Sequence, residues 1–177
     1  MEDPTFATLE TDRLVIRRFR DEDVPAFVAY RNDPEVAELQ GWDLPYAASE
    51  AMDFIESLRG LAPGTPGTWF QFAVGLDDNG LLIGDVALRT TPEDPSQAEL
   101  GFSFATAHQG RGYAGEAVRA VIEYAFTILR MQRVFAITDS GNARARKLLE
   151  HLEFQLEQQV PESALLYSVQ RLQLPTP

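Results

Sequence analysis

Apolar and polar residues alternate with a period of two in the middle of the chain and follow a helical period of about 3.6 on either side. Over 69–76, Phe70, Phe72, Val74 and Leu76 share one face. Over 98–104, Ala98, Leu100, Phe102 and Phe104 oppose Glu99, Gly101 and Ser103. Both patterns predict strands, and β-branched runs predict others over 14–19, 81–89, 133–138, 154–160 and 165–172. Asp77-Asp78-Asn79-Gly80 predicts a tight hairpin, since Asn-Gly tolerates positive φ at both central positions. The last two strands are joined by a turn at Pro161-Glu162-Ser163.

Four helices complete the pattern. Asp21 and Asp23 offer caps and Pro25 suits a first turn, followed by Val24, Phe27, Val28 and Arg31 at helical spacing; Asn32-Asp33-Pro34 predicts the stop. A second helix takes Ser49 as cap and sets Met52, Ile55 and Leu58 inside. The third, over 115–130, buries Val118, Val121, Ile122, Ala125 and Leu129; the fourth, over 142–152, buries Ala145, Leu148, Leu149 and Leu152. The order β-α-α-β-β-β-α-β-α-β-β predicts an α/β (mixed) domain spanning 1–177, in which an antiparallel meander feeds a βαβ unit and a final hairpin.

Composition narrows the function. A net charge of −12 argues against nucleic-acid binding and suits solubility, while attracting cationic ligands. Without cysteine there is no disulfide, thiolate metal site or cysteine nucleophile, and His108 and His151 are too few for a histidine metal cluster. The acidic start Met1-Glu2-Asp3-Pro4 is no signal peptide, and no apolar run is long enough to span a membrane. These features predict a cytoplasmic protein with no membrane, nucleic-acid or metal partner.

The segment between the strand at 98–104 and the next helix carries the candidate chemistry. Gln109-Gly110-Arg111-Gly112-Tyr113-Ala114-Gly115 lets the backbone approach a ligand closely and points several N–H groups one way. A helix N-terminus follows, so the segment predicts an anion site fit for a pyrophosphate, aided by Arg111. Gly110, Gly112 and Gly115 also spell the dinucleotide spacing G-x-G-x-x-G, with Asp139 near the ribose-binding position. That nicotinamide reading fits poorly: a meander precedes the loop, residues 105–109 separate it from its strand, and too little chain follows for a doubly wound sheet.

Gln109-x-x-Gly112-x-Ala114 resembles the pyrophosphate loop of GNAT acetyltransferases. Thr11-Asp12-Arg13-Leu14-Val15-Ile16-Arg17 resembles the opening strand of the RimJ/RimL-like branch, and Ala98-Glu99-Leu100-Gly101-Phe102 its central strand. Asn142, Leu148-Leu149-Glu150 and Phe154 resemble the end of the second core helix, so the match covers about 8–156. The resemblance implies a GNAT-like fold: a central mixed, mostly antiparallel sheet with splayed central strands, flanked by about four helices. It also implies acetyl-CoA as cosubstrate and a primary amine as acceptor, either a protein N-terminal α-amine or a small amine.

Roles follow from the resemblance residue by residue. Phe104, Ala105 and Thr106 would hydrogen-bond the pantetheine arm through their backbone, Gln109 to Gly115 would hold the pyrophosphate, and Asn142 would reach the arm. Asn142 also suits a helix cap, and Arg146 either faces the phosphates or is a surface arginine. Glu99, ten residues before Gln109, is the candidate general base, with Ser103 on the same face ordering a water. Trp42 and Tyr46 lie where the acceptor pocket is shaped, although aromatic residues at such spacings also pack cores. The pattern breaks at Leu149, where many relatives carry a tyrosine acid, at Ala145 for a serine, and at Glu153 for a glycine. A catalytically silent acyl-CoA-binding module is the alternative to an enzyme. Similar proteins often form homodimers, but no residue here marks one.

Overall fold

Every period-two segment forms a strand of one sheet in the computed structural model, which describes residues 6–40, 42–160 and 163–171. The strands are β1 (Leu9–Glu10), β2 (Leu14–Arg17), β3 (Trp69–Leu76), β4 (Leu82–Thr90), β5 (Gln97–Phe104), β6 (Arg133–Asp139), β7 (Gln155–Val160) and β8 (Ala164–Gln170). Their order is β1-β2-β3-β4-β5-β6-β8-β7. All neighbours are antiparallel except β5 and β6, which run parallel. The helices are α1 (Val24–Arg31), α2 (Pro34–Gln40), α3 (Ala48–Leu58), α4 (Tyr113–Thr127) and α5 (Ala143–His151).

Each face of the sheet has its own core. On one face, α4 and α5 bury Val118, Val121, Ile122 and Leu149 against Val86, Leu88, Leu100 and Phe104. On the other, α1 and α3 bury Phe27, Tyr30, Ile55 and Leu58 against Phe19, Ala73 and Leu82. Burial of such side chains supplies roughly 1.5–3 kcal/mol each, which fixes both helix layers to the sheet. Gly84 lets β4 and β5 approach. A Cβ there would lie 2.4 Å from the Ser103 carbonyl oxygen and 2.6 Å from the Phe104 ring.

Several local expectations are corrected. The chain has five helices among the described residues, because Pro34 opens α2 and does not simply end α1; proline is well placed in a first turn, where its missing N–H has no helical partner. The first strand stops at Arg17, whose buried guanidinium pairs with both oxygens of Asp23 at 2.7 and 2.8 Å. Asp23 sits at the cap position of α1 but spends its carboxylate on that pair and on the Arg20 N–H. In α3, Glu50 accepts the Ala47 N–H at 2.7 Å, so the helix begins before Ser49. Its inner face is Ala51, Ile55 and Leu58, at spacings of four and three, and Met52 is 60% exposed. At the hairpin only Gly80 has positive φ, and Leu76 pairs with Leu81 across a four-residue loop. The turn expected at Pro161-Glu162 lies outside the described residues, although Ser163 follows it with φ 68°.

Glu153 takes the left-handed backbone of the glycine it replaces, with φ 65°. The N–H of Phe154 bonds the Leu149 carbonyl at 3.0 Å and that of Glu153 bonds Glu150 at 3.1 Å, the paired closure of a helix C-terminus. The turn therefore survives without glycine, at the steric cost that a side chain meets in this region. Glu153→Gly is expected to stabilise the protein by about 1 kcal/mol. Urea unfolding reads this as a raised midpoint with unchanged slope; an unchanged or lowered midpoint would contradict the strain.

Candidate active site

The parallel pair β5–β6 closes only over Gln97, Ala98 and Glu99 opposite Arg133, Val134 and Phe135. Beyond those residues β5 follows β4 to Phe104, while β6 follows β8 to Asp139, so the two central strands part. The Ala105 N–H donates to the Ile83 carbonyl, which sets the phase of the antiparallel ladder. By its alternation, Ser103 and Gly101 point their backbone groups at β4, whereas Leu100, Phe102 and Phe104 point theirs into the gap. Two side chains already reach these outward carbonyls: Gln40 donates to Phe102 at 3.1 Å and Gln109 to Phe104 at 2.8 Å. Of the three residues expected to meet an extended ligand, Phe104 therefore faces the gap. Ala105 does not, because its N–H is held by Ile83 and its carbonyl by the N–H of His108. Thr106 donates its hydroxyl to Asp33 at 2.6 Å, tying this loop to the start of α2.

The gap opens onto the glycine loop. Gly110 and Gly112 have φ 72° and 82°, and Gly112 caps α4 from the left-handed region. The first intrahelical bond runs from the Glu116 N–H to the Gly112 carbonyl. The N–H groups of Tyr113, Ala114 and Gly115 consequently have no helical partner and face outward at the positive end of a 15-residue helix. Gly115 lies inside the first turn of α4, not in the loop, and a Cβ there would touch Leu148 at 3.4 Å. Its place in the dinucleotide spacing is accounted for by packing of α4 on α5.

Glu116 puts a carboxylate beside this candidate anion site, where Arg13 pairs with it. Arg13 donates through Nε to Glu116 at 2.7 Å and through Nη1 to the Arg111 carbonyl at 2.9 Å, while its guanidinium lies 4.5 Å from the Tyr113 ring centre. The Thr11 hydroxyl and the Arg13 N–H also donate to Glu116, at 2.6 and 3.0 Å. Burial alone would raise the Glu116 pKa, but the bonds from Thr11 and Arg13 outweigh it and hold the carboxyl below its ordinary value. A shallow cleft of about 210 Å³ runs from here between α4 and α5, lined by Gly112, Gly115, Arg119, Leu148 and His151.

The second strand of the opening presents Asn142. Its Oδ1 accepts the Ala145 N–H at 3.1 Å, so it caps α5, and its amide nitrogen stays available. Arg146 turns away from the loop: it donates to the Ser140 carbonyl at 3.1 Å and to Tyr167 at 3.4 Å. The Tyr167 hydroxyl raises the Arg146 pKa. Arg144, which the sequence did not single out, instead reaches the loop and donates to Gln109 Oε1 at 2.7 Å. Leu149, in place of the tyrosine acid, is fully buried in the core.

On the opposite face of the sheet, Glu99 stands where the parting of the strands begins, its side chain 25% exposed and 3.9 Å from Arg89. Burial raises its pKa and Arg89 partly offsets this. Ser103 is buried on the same face, opposite Asp85 of β4. Asp85 is itself buried and accepts from the Tyr30 hydroxyl and from Gln71. Burial raises its pKa against these bonds, and burial and Asp85 together raise that of Tyr30. Sequence reading missed Asp85 because an acid in a strand ordinarily faces water. Trp42 and Tyr46 are partly buried beside α1 and gather around Arg31, at 4.0 and 5.1 Å from its guanidinium carbon. Among the described residues no cluster of histidine, aspartate or glutamate could hold a metal, and no helix is long and apolar enough to cross a membrane.

A mixed sheet parted at its parallel pair, opening onto a glycine-capped helix, is the arrangement that the acetyltransferase resemblance implies. The sequence matches the Acetyltransferase (GNAT) domain over residues 13–155. An uncharacterized N-acetyltransferase, p20 of Bacillus licheniformis, is 31% identical over 150 residues, or 85% of this chain and 83% of that protein. In structure the chain resembles Mycobacterium smegmatis RimJ in complex with CoA-disulfide, with TM-score 0.78 and 22% identity over 92% of this chain and 84% of that one. It also resembles the Vibrio cholerae spermidine N-acetyltransferase in complex with CoA and spermine, with TM-score 0.79 and 19% identity over 92% and 98%. The chain belongs to the GNAT family and is an acetyl-CoA-dependent N-acetyltransferase.

Gly112→Val tests the loop. A branched side chain disfavours φ 82° and would press on Arg13 Nη2, 3.2 Å from a Cβ at this position. Strain of about 1–3 kcal/mol at one loop residue leaves the fold intact but tilts the first N–H groups of α4. Calorimetry is expected to find acetyl-CoA binding abolished while the circular dichroism spectrum is retained; undiminished affinity would contradict the assignment.

Proposed function

We propose that the protein moves an acetyl group from acetyl-CoA to a primary amine, a protein N-terminal α-amine or a small amine, by direct attack in a ternary complex. The observation that carries this reading is the limit of β5–β6 pairing at Glu99, beyond which the facing edges of β5 and β6 are not paired with each other on the way to the glycine loop. The names of the two CoA-bearing structural neighbours support it.

In this reading the N–H groups of Tyr113, Ala114 and Gly115, with Gln109, Gly110, Arg111, Gly112 and Arg144, hold the pyrophosphate. Phe104 and the amide nitrogen of Asn142 hold the pantetheine arm from its two sides. Arg146 is left out, since its guanidinium is engaged with Ser140 and Tyr167. The thioester supplies an activated acetyl group. The amine nitrogen bonds to its carbonyl carbon, the C–S bond breaks, and CoA leaves with the sulfur electron pair.

Glu99 takes the proton that the incoming ammonium must lose, directly or through a water ordered by Ser103. Its partial burial suits the task, because a raised pKa makes a carboxylate a better base. Leu149 stands where many relatives carry the tyrosine acid, and that loss need not abolish activity: a free thiol has a pKa of about 8.5, so the thiolate is a fair leaving group.

For wild type, kcat/KM is expected to rise with pH through the raised pKa of Glu99 and then level. Glu99→Gln is expected to remove that limb and lower kcat about 100-fold or more, with little change in acetyl-CoA affinity. Unchanged rates at every pH would remove Glu99 from the mechanism. Undiminished acetyl-CoA binding by wild type with no turnover on peptides, amino acids, aminoglycosides or polyamines would favour a silent binding module.

A further inference from the structure

Arg31, at the C-terminal end of α1, is surrounded by four aromatic rings. Its guanidinium carbon lies 4.0 Å from the centre of Trp42, 4.8 Å from Phe27, 5.1 Å from Tyr46 and 5.5 Å from Phe54. Such rings hold a flat cation in place and shed its water, but they offer no acceptor to its N–H groups. The Arg31 side chain makes no hydrogen bond or ion pair to any described residue, and its Nε–H is buried without a partner. Asp85 is close enough for the two charges to influence one another, yet its oxygens are engaged by Tyr30 and Gln71 and form no ion pair with Arg31. Arg31 as a whole is only partly buried and its charge has no ion-pair partner among the described residues, so the cage is a half-site open to an anion.

One wall of the cage is pinned, and the cage stands in the right place. Asn32 clamps the Tyr46 backbone from both sides, accepting its N–H and donating to its carbonyl at 2.8 Å each. Tyr30, the neighbour of Arg31, bonds Asp85, and Asp85 pairs across the sheet with Ser103. Arg31 therefore lies beside the Glu99–Ser103 face, where the acceptor arrives under the proposed function.

We infer that Arg31 anchors a carboxylate of the acceptor, so that the substrate is a small amine that also carries a carboxylate: a free amino acid or the C-terminus of a short peptide. This rests on the acetyltransfer reading above. A planar guanidinium takes a carboxylate through two charge-assisted hydrogen bonds, and the rings around it reduce the water that competes. A polyamine meets only repulsion there. The whole-chain negative charge then draws in the ammonium end, while Arg31 fixes the other end.

The test follows CoA release with amino acids, dipeptides, the matching carboxamides and spermidine, at a pH where both members of each acid–amide pair are largely neutral amines. Acetyl-CoA affinity is measured alongside by calorimetry. For wild type, the carboxylates are expected to have KM about tenfold lower than their carboxamides, or better, with kcat little changed. Arg31→Met is expected to erase that preference without altering acetyl-CoA affinity, and Arg31→Lys to restore part of it. Amino acids against dipeptides decides which carriers fit. Equal KM for acid and amide in wild type, a preference that survives Arg31→Met, or turnover confined to carboxamides and spermidine would overturn the inference and leave acetyltransfer standing. Turnover of no amine, or no binding of acetyl-CoA, would overturn both. The wild-type comparison decides the matter even if Arg31→Met does not fold.

Discussion

Backbone N–H and C=O groups must find partners, and the central sheet is built so that some of them cannot find one within the sheet. β5 and β6 pair over three residues and then each stays with its outer neighbour. An isolated gap of this kind would be a defect; here it leads to three further unpaired N–H groups at the start of α4. Under the proposed function both sets of donors meet one ligand, an extended amide-bearing arm that ends in a pyrophosphate. In that reading the ligand takes the place of a strand that the chain does not itself supply.

Holding an anion on so acidic a chain requires local control of charge. The site does this with backbone dipoles and with arginines that the fold brings together from distant positions. Arg13 cancels Glu116 and grips the loop at Arg111, across about 100 residues of sequence. Arg144 reaches the same loop through Gln109 from the far side of the opening. Gln109 bonds the Phe104 carbonyl at the end of β5 and accepts from Arg144 of α5, so the loop ties the two sides of the gap together. The loop's geometry and the width of the gap are therefore linked. On the other face, the buried Tyr30–Asp85–Gln71 cluster fixes α1 on the sheet and sets the distance between Arg31 and the Glu99–Ser103 face.

The strands and the glycine loop were legible because their signals are local: alternation is a property of consecutive residues, and left-handed turns select glycine. What failed were choices between two local readings settled by tertiary contacts. Pro34 could end one helix or begin the next. In α3 the spacing-three stripe set Met52 inside, and packing on the sheet selected Ala51 in its place. Arg144 and Arg146 lie about 200° apart around a helix, so choosing the one that meets the loop required the helix's rotation, which the Asn142 cap determines. Asp85 and Arg31 were invisible for a different reason: their significance lies in burial among residues far away in sequence. Thr11 and Arg13 were noticed as part of a family resemblance, but their role as the clamp on Glu116 emerges only from the contacts.

The most direct test of the central claim is calorimetric titration of the wild-type protein with acetyl-CoA, with NADH titrated in parallel. The account requires saturable, one-to-one binding of acetyl-CoA and no binding of NADH. Absence of saturation with acetyl-CoA would mean that the gap between β5 and β6 and the glycine loop do not form a cofactor track, and would contradict the account at its foundation.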